Sequence, residues 1–181
     1  MKQIAYLVIL SALFAITAIF ISVCDSSNKG AQYGLYRDQK RNIQFQYPKN
    51  WTVEEVEEQN VLLIMAPEIE ENWQANVFIE LRENPDKKPI DEQLDSLILN
   101  LKSNKKEMVM KNREILKTRT GIQAGVIVFE HNPELKLFEK EYLLLFGDSR
   151  VVFATGSAVS SLWSKYQKQI DGILESIEEL K

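Results

Sequence analysis

The first part of the chain is a continuous apolar run. Lys2 carries the only charge among the first 24 residues, and Ile4–Val23 contains none over 20 positions. A helix of this length extends over roughly 30 Å, which matches the hydrocarbon thickness of a bilayer. Helices inside water-soluble folds rarely lack polar residues over such a distance. We therefore expect residues 1–24 to form a membrane-targeting helix.

Three fates of this segment remain open. Ile21–Cys24 resembles a bacterial lipobox, in which Cys24 would be lipidated and become the new N-terminus, although Val23 stands where a small residue is usual. The length of the run fits an uncleaved signal anchor, and an ordinary cleaved signal is the third reading. In each case Lys2 stays inside and the following domain crosses the membrane. Residues 25–32 are polar and are expected to act as a flexible tether.

Short alternating segments follow the tether. Ile43–Tyr47 alternates apolar and polar residues, which is typical of a half-buried strand. The apolar run Val61–Met65, closed by Pro67, predicts a central strand buried on both faces. The strands predicted in this half are Tyr33–Asp38, Ile43–Tyr47, Trp51–Glu58, Val61–Met65 and Asn76–Arg82.

A polar, proline-bounded loop then leads into a helix. Its apolar positions recur at helical spacing: Leu94, Leu97, Ile98 and Leu101. Asp91 is the expected N-cap, and the helix is expected to end near Lys105.

The second half repeats the order of strands and then a helix. The predicted strands are Glu107–Lys117, Ala124–Glu130, Leu137–Phe146 and Val151–Thr155, and the last three form an antiparallel meander through short turns. Ser160 or Ser161 is expected to cap a final helix whose apolar stripe runs from Leu162 to Ile177. The sequence thus predicts one α+β domain over residues 33–181, with a mainly antiparallel sheet.

The composition of the chain excludes some classes of partner and site. The chain has 181 residues, a net charge of −4 and a normal apolar share of 45%. A mildly acidic protein makes a poor ligand for a phosphate backbone, so nucleic acid is not an expected partner. Cys24 is the only cysteine, which excludes internal disulfides and cysteine-based metal sites.

Two groups of motifs resemble PsbP-like and DcrB-like domains, and the similarity extends over about residues 33–180. Near the start, a strand ends in a proline turn that places a tryptophan: Ile43-x-Phe45-x-Tyr47-Pro48-x-x-Trp51. Near the end stand Thr155-x-Ser157, Trp163-x-x-Tyr166 and Ile173-Leu174-x-Ser176-Ile177. The resemblance implies an antiparallel sheet sandwiched between helices. Family members, many of them bacterial lipoproteins, act mainly as binding or accessory modules, so the resemblance implies no catalytic activity.

The residues themselves show no catalytic set. His131 is the only histidine, and it is expected to be a solvated side chain in a hairpin turn. Glutamates cluster at positions 54–58 and 68–71, but the Asp/Asn alternation and the glycine of a calcium loop are missing, so a solvated acidic surface is expected. No metal or other cofactor is predicted. A pair of glycosidase-type carboxylates remains open.

These observations favour a non-catalytic, membrane-tethered module outside the cytoplasm, in the bacterial cell envelope. Its expected role is to bind a protein partner or to stabilise an envelope complex, and the alternative is a small-ligand or metal-binding lipoprotein. Trp73 stands in a polar stretch between two strands. It is either a partner contact or an aromatic packed at the edge of the domain.

Overall fold

The computed structural model describes residues 32–180, except 106 and 148. These residues form ten strands and two α-helices. The strands are β1 (Tyr33–Asp38), β2 (Ile43–Pro48), β3 (Thr52–Val56), β4 (Val61–Glu70), β5 (Trp73–Glu83), β6 (Val109–Lys117), β7 (Gln123–His131), β8 (Leu137–Phe146), β9 (Arg150–Val159) and β10 (Glu178–Glu179). The helices are α1 (Ile90–Asn104) and α2 (Trp163–Leu174).

The strands make two antiparallel sheets. The larger has seven strands in the order β3-β4-β5-β9-β8-β7-β6, and the smaller has the order β1-β2-β10. The predicted meander is confirmed as β7-β8-β9, and the predicted mainly antiparallel α+β class is confirmed with it. The predicted N-terminal helix lies outside the described residues. Neither helix of the described part has the length and apolarity needed to span a bilayer.

One face of the large sheet is fully covered. Helix α2 packs on β5 and β9 and also contacts β2 of the small sheet. Their apolar side chains join one buried cluster that includes Phe45, Trp51, Tyr142 and Ile170. Gly156 of β9 lies directly beneath Ile170 of α2, and its lack of a side chain lets the helix approach the sheet.

Helix α1 covers only part of the other face. Its predicted apolar stripe is confirmed, because Leu94, Ile98 and Leu101 are buried against Ile127 and Phe129 of β7. The helix contacts β7 and β8. Ile90 of α1 also shares a buried apolar cluster with Val151 at the start of β9, whereas the same face of β5 and β4 has no helix packed on it.

Both helix starts differ from their predictions. Helix α1 begins at Ile90 with Pro89 as its N-cap, and Asp91 lies in the first turn, where a carboxylate favours the positive end of the helix dipole. Ser160 and Ser161 belong to a 3-10 turn before α2. Their hydroxyls instead donate to Glu130 and Glu71, so neither caps the helix.

Two further elements differ from the prediction. Helix α2 ends at Leu174, and the chain after it adds β10 to the small sheet beside β2. Strand β4 continues past Pro67 to Glu70, with an irregular register between Met65 and Ile69. A proline is tolerated there because a bulge leaves its position without a ladder hydrogen bond. Leu63 is only half-buried, since its face of β4 is uncovered.

The edges of the large sheet are β3 and β6. Strand β6 is largely exposed, and its register shifts between Met110 and Asn112. Its charged side chains pair with neighbouring elements: Lys111 with Glu130, and Arg113 with Asp95.

We expect Gly156→Ala to destabilise the domain by about 2–4 kcal/mol, because the new Cβ would lie 2.1 Å from Cγ2 of the fully buried Ile170. Gly34→Ala is the matched control. Its Cβ would meet the half-buried ring of Tyr47 at 3.2 Å, where the ring has room to move, so the expected cost is below about 1 kcal/mol. Urea unfolding measures both. Equal free energies of unfolding for the two variants would contradict the helix contact.

Candidate functional site

A groove of about 760 Å³ lies between α1 and the uncovered part of the large sheet. Its floor consists of side chains that three adjacent strands present on one face: Asn76 and Phe78 from β5, Thr155 and Ser157 from β9, and Glu139 and Glu141 from β8. Leu97 and Leu101 of α1 form the apolar part of the opposite wall.

Strand alternation explains why these side chains converge. In β8, Tyr142 and Leu144 belong to the main core, so the residues at alternate positions, including Glu139 and Glu141, face the other side. In β9, Ala154 and Ala158 face α2, which turns Thr155 and Ser157 toward the groove.

The register then sets these residues side by side. Glu141 pairs with Thr155, and Glu139 pairs with Ser157. On the other side of β9, Phe78 is opposite Thr155. The floor is therefore a compact array in which two carboxyls adjoin two hydroxyls.

Glu139 is held by a lysine and a histidine. Its Oε2 accepts from Lys105 Nζ at 2.6 Å, and its Oε1 lies 3.0 Å from Nε2 of His131. Burial opposes ionisation of Glu139, but the hydrogen bond with His131 and the charge of Lys105 outweigh burial and lower its pKa. Glu139 is thus a charged, fully occupied carboxylate.

Glu141 is different, although it is only 6% exposed. Its carboxyl makes no hydrogen bond and no ion pair with the described residues. Burial, followed by the negative charge of Glu139, raises the pKa of Glu141 to about 7. The pKa of Glu141 is therefore raised, whereas the pKa of the neighbouring Glu139 is lowered.

Two more polar groups at the groove lack partners. The hydroxyl of Ser157, a residue 4% exposed, and the indole Nε1 of Trp73 are buried without a hydrogen bond to any described residue. Leaving such groups unsatisfied costs free energy, so native proteins rarely retain them without a reason.

The remaining charged pair on the floor, Arg82 and Glu80, is joined by hydrogen bonds. Arg82 donates from Nε and Nη2 to the two carboxylate oxygens of Glu80, each at 2.7 Å. Its guanidinium also lies 4.5 Å from the centre of the Phe153 ring, a cation–π arrangement.

The residues singled out in the sequence have mixed outcomes. Cys24 lies outside the described residues. Trp73 is half-buried at the start of β5 and lines the groove, so it is not on a loop. The expectation of a solvated His131 was wrong: its side chain is 13% exposed and pairs with Glu139 across the β7–β8 hairpin. Trp51 packs edge-on against Tyr166 in the core.

Part of the predicted acidic surface is ion-paired. Glu55 binds Lys40 and Arg41, and Glu70 binds Lys165. Within the described residues, no group of three or more His, Cys, Asp or Glu side chains is arranged to hold a metal.

Sequence reasoning missed Glu139, Glu141 and Ser157. One signal was visible, since β8 is an apolar strand with acidic residues at two alternate positions. That alternation predicts a polar spot on one face of the sheet. The second strand that completes the spot is not apparent from the sequence.

No protein-family model matches the chain, and no curated protein matches its sequence. Among solved structures, cyanobacterial PsbP from Synechocystis sp. PCC 6803 matches with a TM-score of 0.62 at 14% identity, over 82% of this chain and 93% of its own. The chain has a PsbP-like fold. The predicted resemblance is confirmed at this level, because identities this low show the fold alone.

Two other structures share the PsbP-like fold of this chain. LpqN, described as involved in cell envelope biogenesis of Mycobacterium tuberculosis, matches with a TM-score of 0.66 at 12% identity, over 83% of this chain and 91% of its own. A protein of unknown function from Pseudomonas aeruginosa, described as a putative regulator, matches with a TM-score of 0.54 at 13% identity, over 76% and 90%.

We expect Glu141→Gln to stabilise the domain at about pH 8 by roughly 3 kcal/mol and to have little effect near pH 4. A carboxyl whose pKa is raised on folding binds its proton more tightly in the native state. Its contribution to stability is therefore present below its unfolded pKa and is lost as pH rises through about 7. Urea unfolding at several pH values measures the effect.

Glu139→Gln is the matched comparison and should show the opposite sign. The pKa of Glu139 is lowered on folding, so its stabilisation is present above the unfolded pKa and is lost as pH falls through the folded value. If both variants lost stability equally at pH 8, the contrast between the two carboxyls would be refuted.

Proposed function

We propose that this chain is a non-catalytic module of the cell envelope, tethered outside the cytoplasm, that binds a ligand in the groove beside α1. The observation that carries the proposal is that Glu141 and Ser157 both lie on the groove floor. Both residues are more than nine-tenths buried, the hydroxyl of Ser157 has no hydrogen-bond partner among the described residues, and no ion pair within that part of the chain involves Glu141. A bound molecule would satisfy both.

The shape and composition of the groove fit a binding site. Its volume is within the range of small-molecule pockets, and it combines apolar walls with a few convergent polar groups. The sequence favoured a protein partner over a small ligand. We place the small ligand first, because the exposed large apolar side chains of the described residues are spread over β1, β4, α1 and β6.

The arrangement of the same residues supports binding rather than catalysis. A serine nucleophile needs a base within hydrogen-bonding distance, and Ser157 has no such contact among the described residues. Both oxygens of Glu139 are already engaged, so this carboxylate is poorly placed to act as the base of a hydrolytic pair.

Two observations support the proposed location. The uncharged run Ile4–Val23 has the length of a bilayer-spanning helix. A protein with the same fold, LpqN, is described as involved in cell envelope biogenesis. Lipidation at Cys24 is the proposed form of attachment.

A protein partner is the second candidate, and Trp73 is the residue that favours it. Its indole is half-buried at the groove and carries a buried Nε1 without a partner among the described residues. Tryptophan is enriched among the residues that dominate protein interfaces. A partner side chain that enters the groove would contact Trp73.

Groove binding can be tested by blocking the groove. Ser96 is an exposed α1 residue on its wall, and Ser96→Trp should fill the entrance without disturbing the core. Leu99→Trp is the matched control, because Leu99 is 70% exposed on the same helix and does not line the groove. We expect small compounds detected by saturation-transfer NMR on the full chain in nanodiscs to bind the wild type and Leu99→Trp but not Ser96→Trp.

Two results would contradict groove binding. One is a screen of cationic, neutral and anionic compounds in which none binds. The other is a set of compounds that bind Ser96→Trp as well as they bind the wild type.

Attachment can be tested with Cys24→Ser. If Cys24 is the lipidated residue, the variant should not incorporate a labelled fatty acid and should retain the full precursor mass. Both are measured by mass spectrometry of the membrane fraction, with wild type as the control. A variant of unchanged mass relative to the wild type, apart from the substitution, and with unchanged membrane attachment would show instead that Ile4–Val23 is the anchor.

A further inference from the structure

Every charged side chain that lines the groove, except one, has a partner that neutralises or contacts it. Arg82 is committed to Glu80, and Lys105 and His131 are committed to Glu139. Lys88, on the rim, is half-exposed and lies 3.9 Å from Asp86. Glu141 is the one groove carboxyl without a cation partner among the described residues.

We propose that the groove receives a protonated amine on an apolar stem, with Glu141 as its carboxylate partner and the hydroxyls of Ser157 and Thr155 as additional acceptors. This inference rests on the proposed function, since it names the ligand class of the same site. The amine belongs either to a free small molecule or to a lysine side chain of a partner, and the chemistry is the same for both.

The polar part of the floor suits an ammonium group. An alkylammonium offers three donors and no acceptor, so it needs several oxygens that converge on one point. Glu141 and Thr155 are directly paired across β8 and β9, and Ser157 is the next residue of β9 on that face. The hydroxyl of Ser157 is buried and unpartnered among the described residues, which is an independent sign that a polar group is received there.

The apolar part of the groove suits a hydrocarbon stem. Phe78 is opposite Thr155 in the register, and Leu63 and Leu97 line the same groove. An aromatic face beside a cation adds a favourable electrostatic contact. A ligand that is strongly polar over its whole length would make no favourable apolar contact with these side chains.

Cation binding would change the protonation of Glu141. The charged groups that face it are Glu139 on its own strand, Glu80 and Arg82 on β5, and Lys105 after α1. Without a ligand, Glu141 is mostly protonated at about pH 6, because burial and Glu139 oppose its charge. An ammonium favours the ionised form, so binding below pH 7 should release close to one proton. A neutral hydroxyl ligand would release none.

The test titrates n-butylammonium chloride into the full chain at about pH 6. Binding is measured by isothermal titration calorimetry in two anionic buffers with different ionisation enthalpies. We expect binding, together with release of between about half and one proton. Glu141→Gln should weaken binding about 10- to 100-fold, because the charged partner is lost. Glu54→Gln, at an exposed position of β3, is the control and should bind as the wild type does.

Matched probes separate this inference from the proposed function. If n-butanol or butyrate binds in a manner sensitive to Ser96→Trp and n-butylammonium does not, the groove is a binding site but the ammonium inference is overturned. Binding without proton release, or unchanged in Glu141→Gln, also overturns it. If none of the three probes binds, the ammonium inference is contradicted and the proposal that the groove binds a ligand loses support.

A further arm distinguishes the two sources of the amine. Nα-acetyl-lysine methylamide carries the same ammonium on a peptide unit. Tighter binding of this probe than of n-butylammonium would support a partner's lysine side chain, whereas tighter binding of n-butylammonium would support a free amine. Both results support the ammonium site.

Discussion

The second face of the seven-stranded sheet is wider than the single helix that packs on it. This difference in width determines where the structure leaves polar side chains uncovered. Strands lie about 4.8 Å apart, whereas a helix with its side chains is about 10–12 Å wide, so one helix covers little more than two strands. Helix α1 packs mainly on β7 and β8, and its first residue, Ile90, reaches Val151 at the start of β9. On the opposite face, α2 packs on the sheet and contacts β2. The groove is therefore a direct result of the number and placement of helices.

This geometry places polar side chains in an unusual environment. The floor of the groove is shielded by α1 and by its own neighbours, yet it is not closed by an apolar layer. Glu139 tolerates this position because Lys105 compensates its charge and His131 contacts its other oxygen. Glu141 has no such compensation and shifts toward its neutral form instead. A residue that lowers the stability of the free protein is common at binding sites, where the ligand offsets the cost.

The fold was more accessible to sequence reasoning than the site. Alternation in β2, β5 and β8 and the stripe of α1 are local patterns, so they predict their elements correctly. The helix caps were wrong because Pro89 and a 3-10 turn before α2 replaced side-chain capping. Strand β10 was missed because two glutamates have no strand pattern of their own and pair only through contact with β2. The groove floor depends on the register of three strands, which no local pattern specifies.

The irregular edge strand β6 has a consequence for how copies of this chain meet at high concentration. Edge strands expose unpaired backbone groups, which can recruit the edge of another copy and seed aggregates. Strand β6 is interrupted by its register shift at Met110 to Asn112, and it bears the paired charges Lys111 and Arg113. A neighbouring copy would meet a kinked, charged border instead of a flat template. Copies of this chain that are crowded together can thus remain separate.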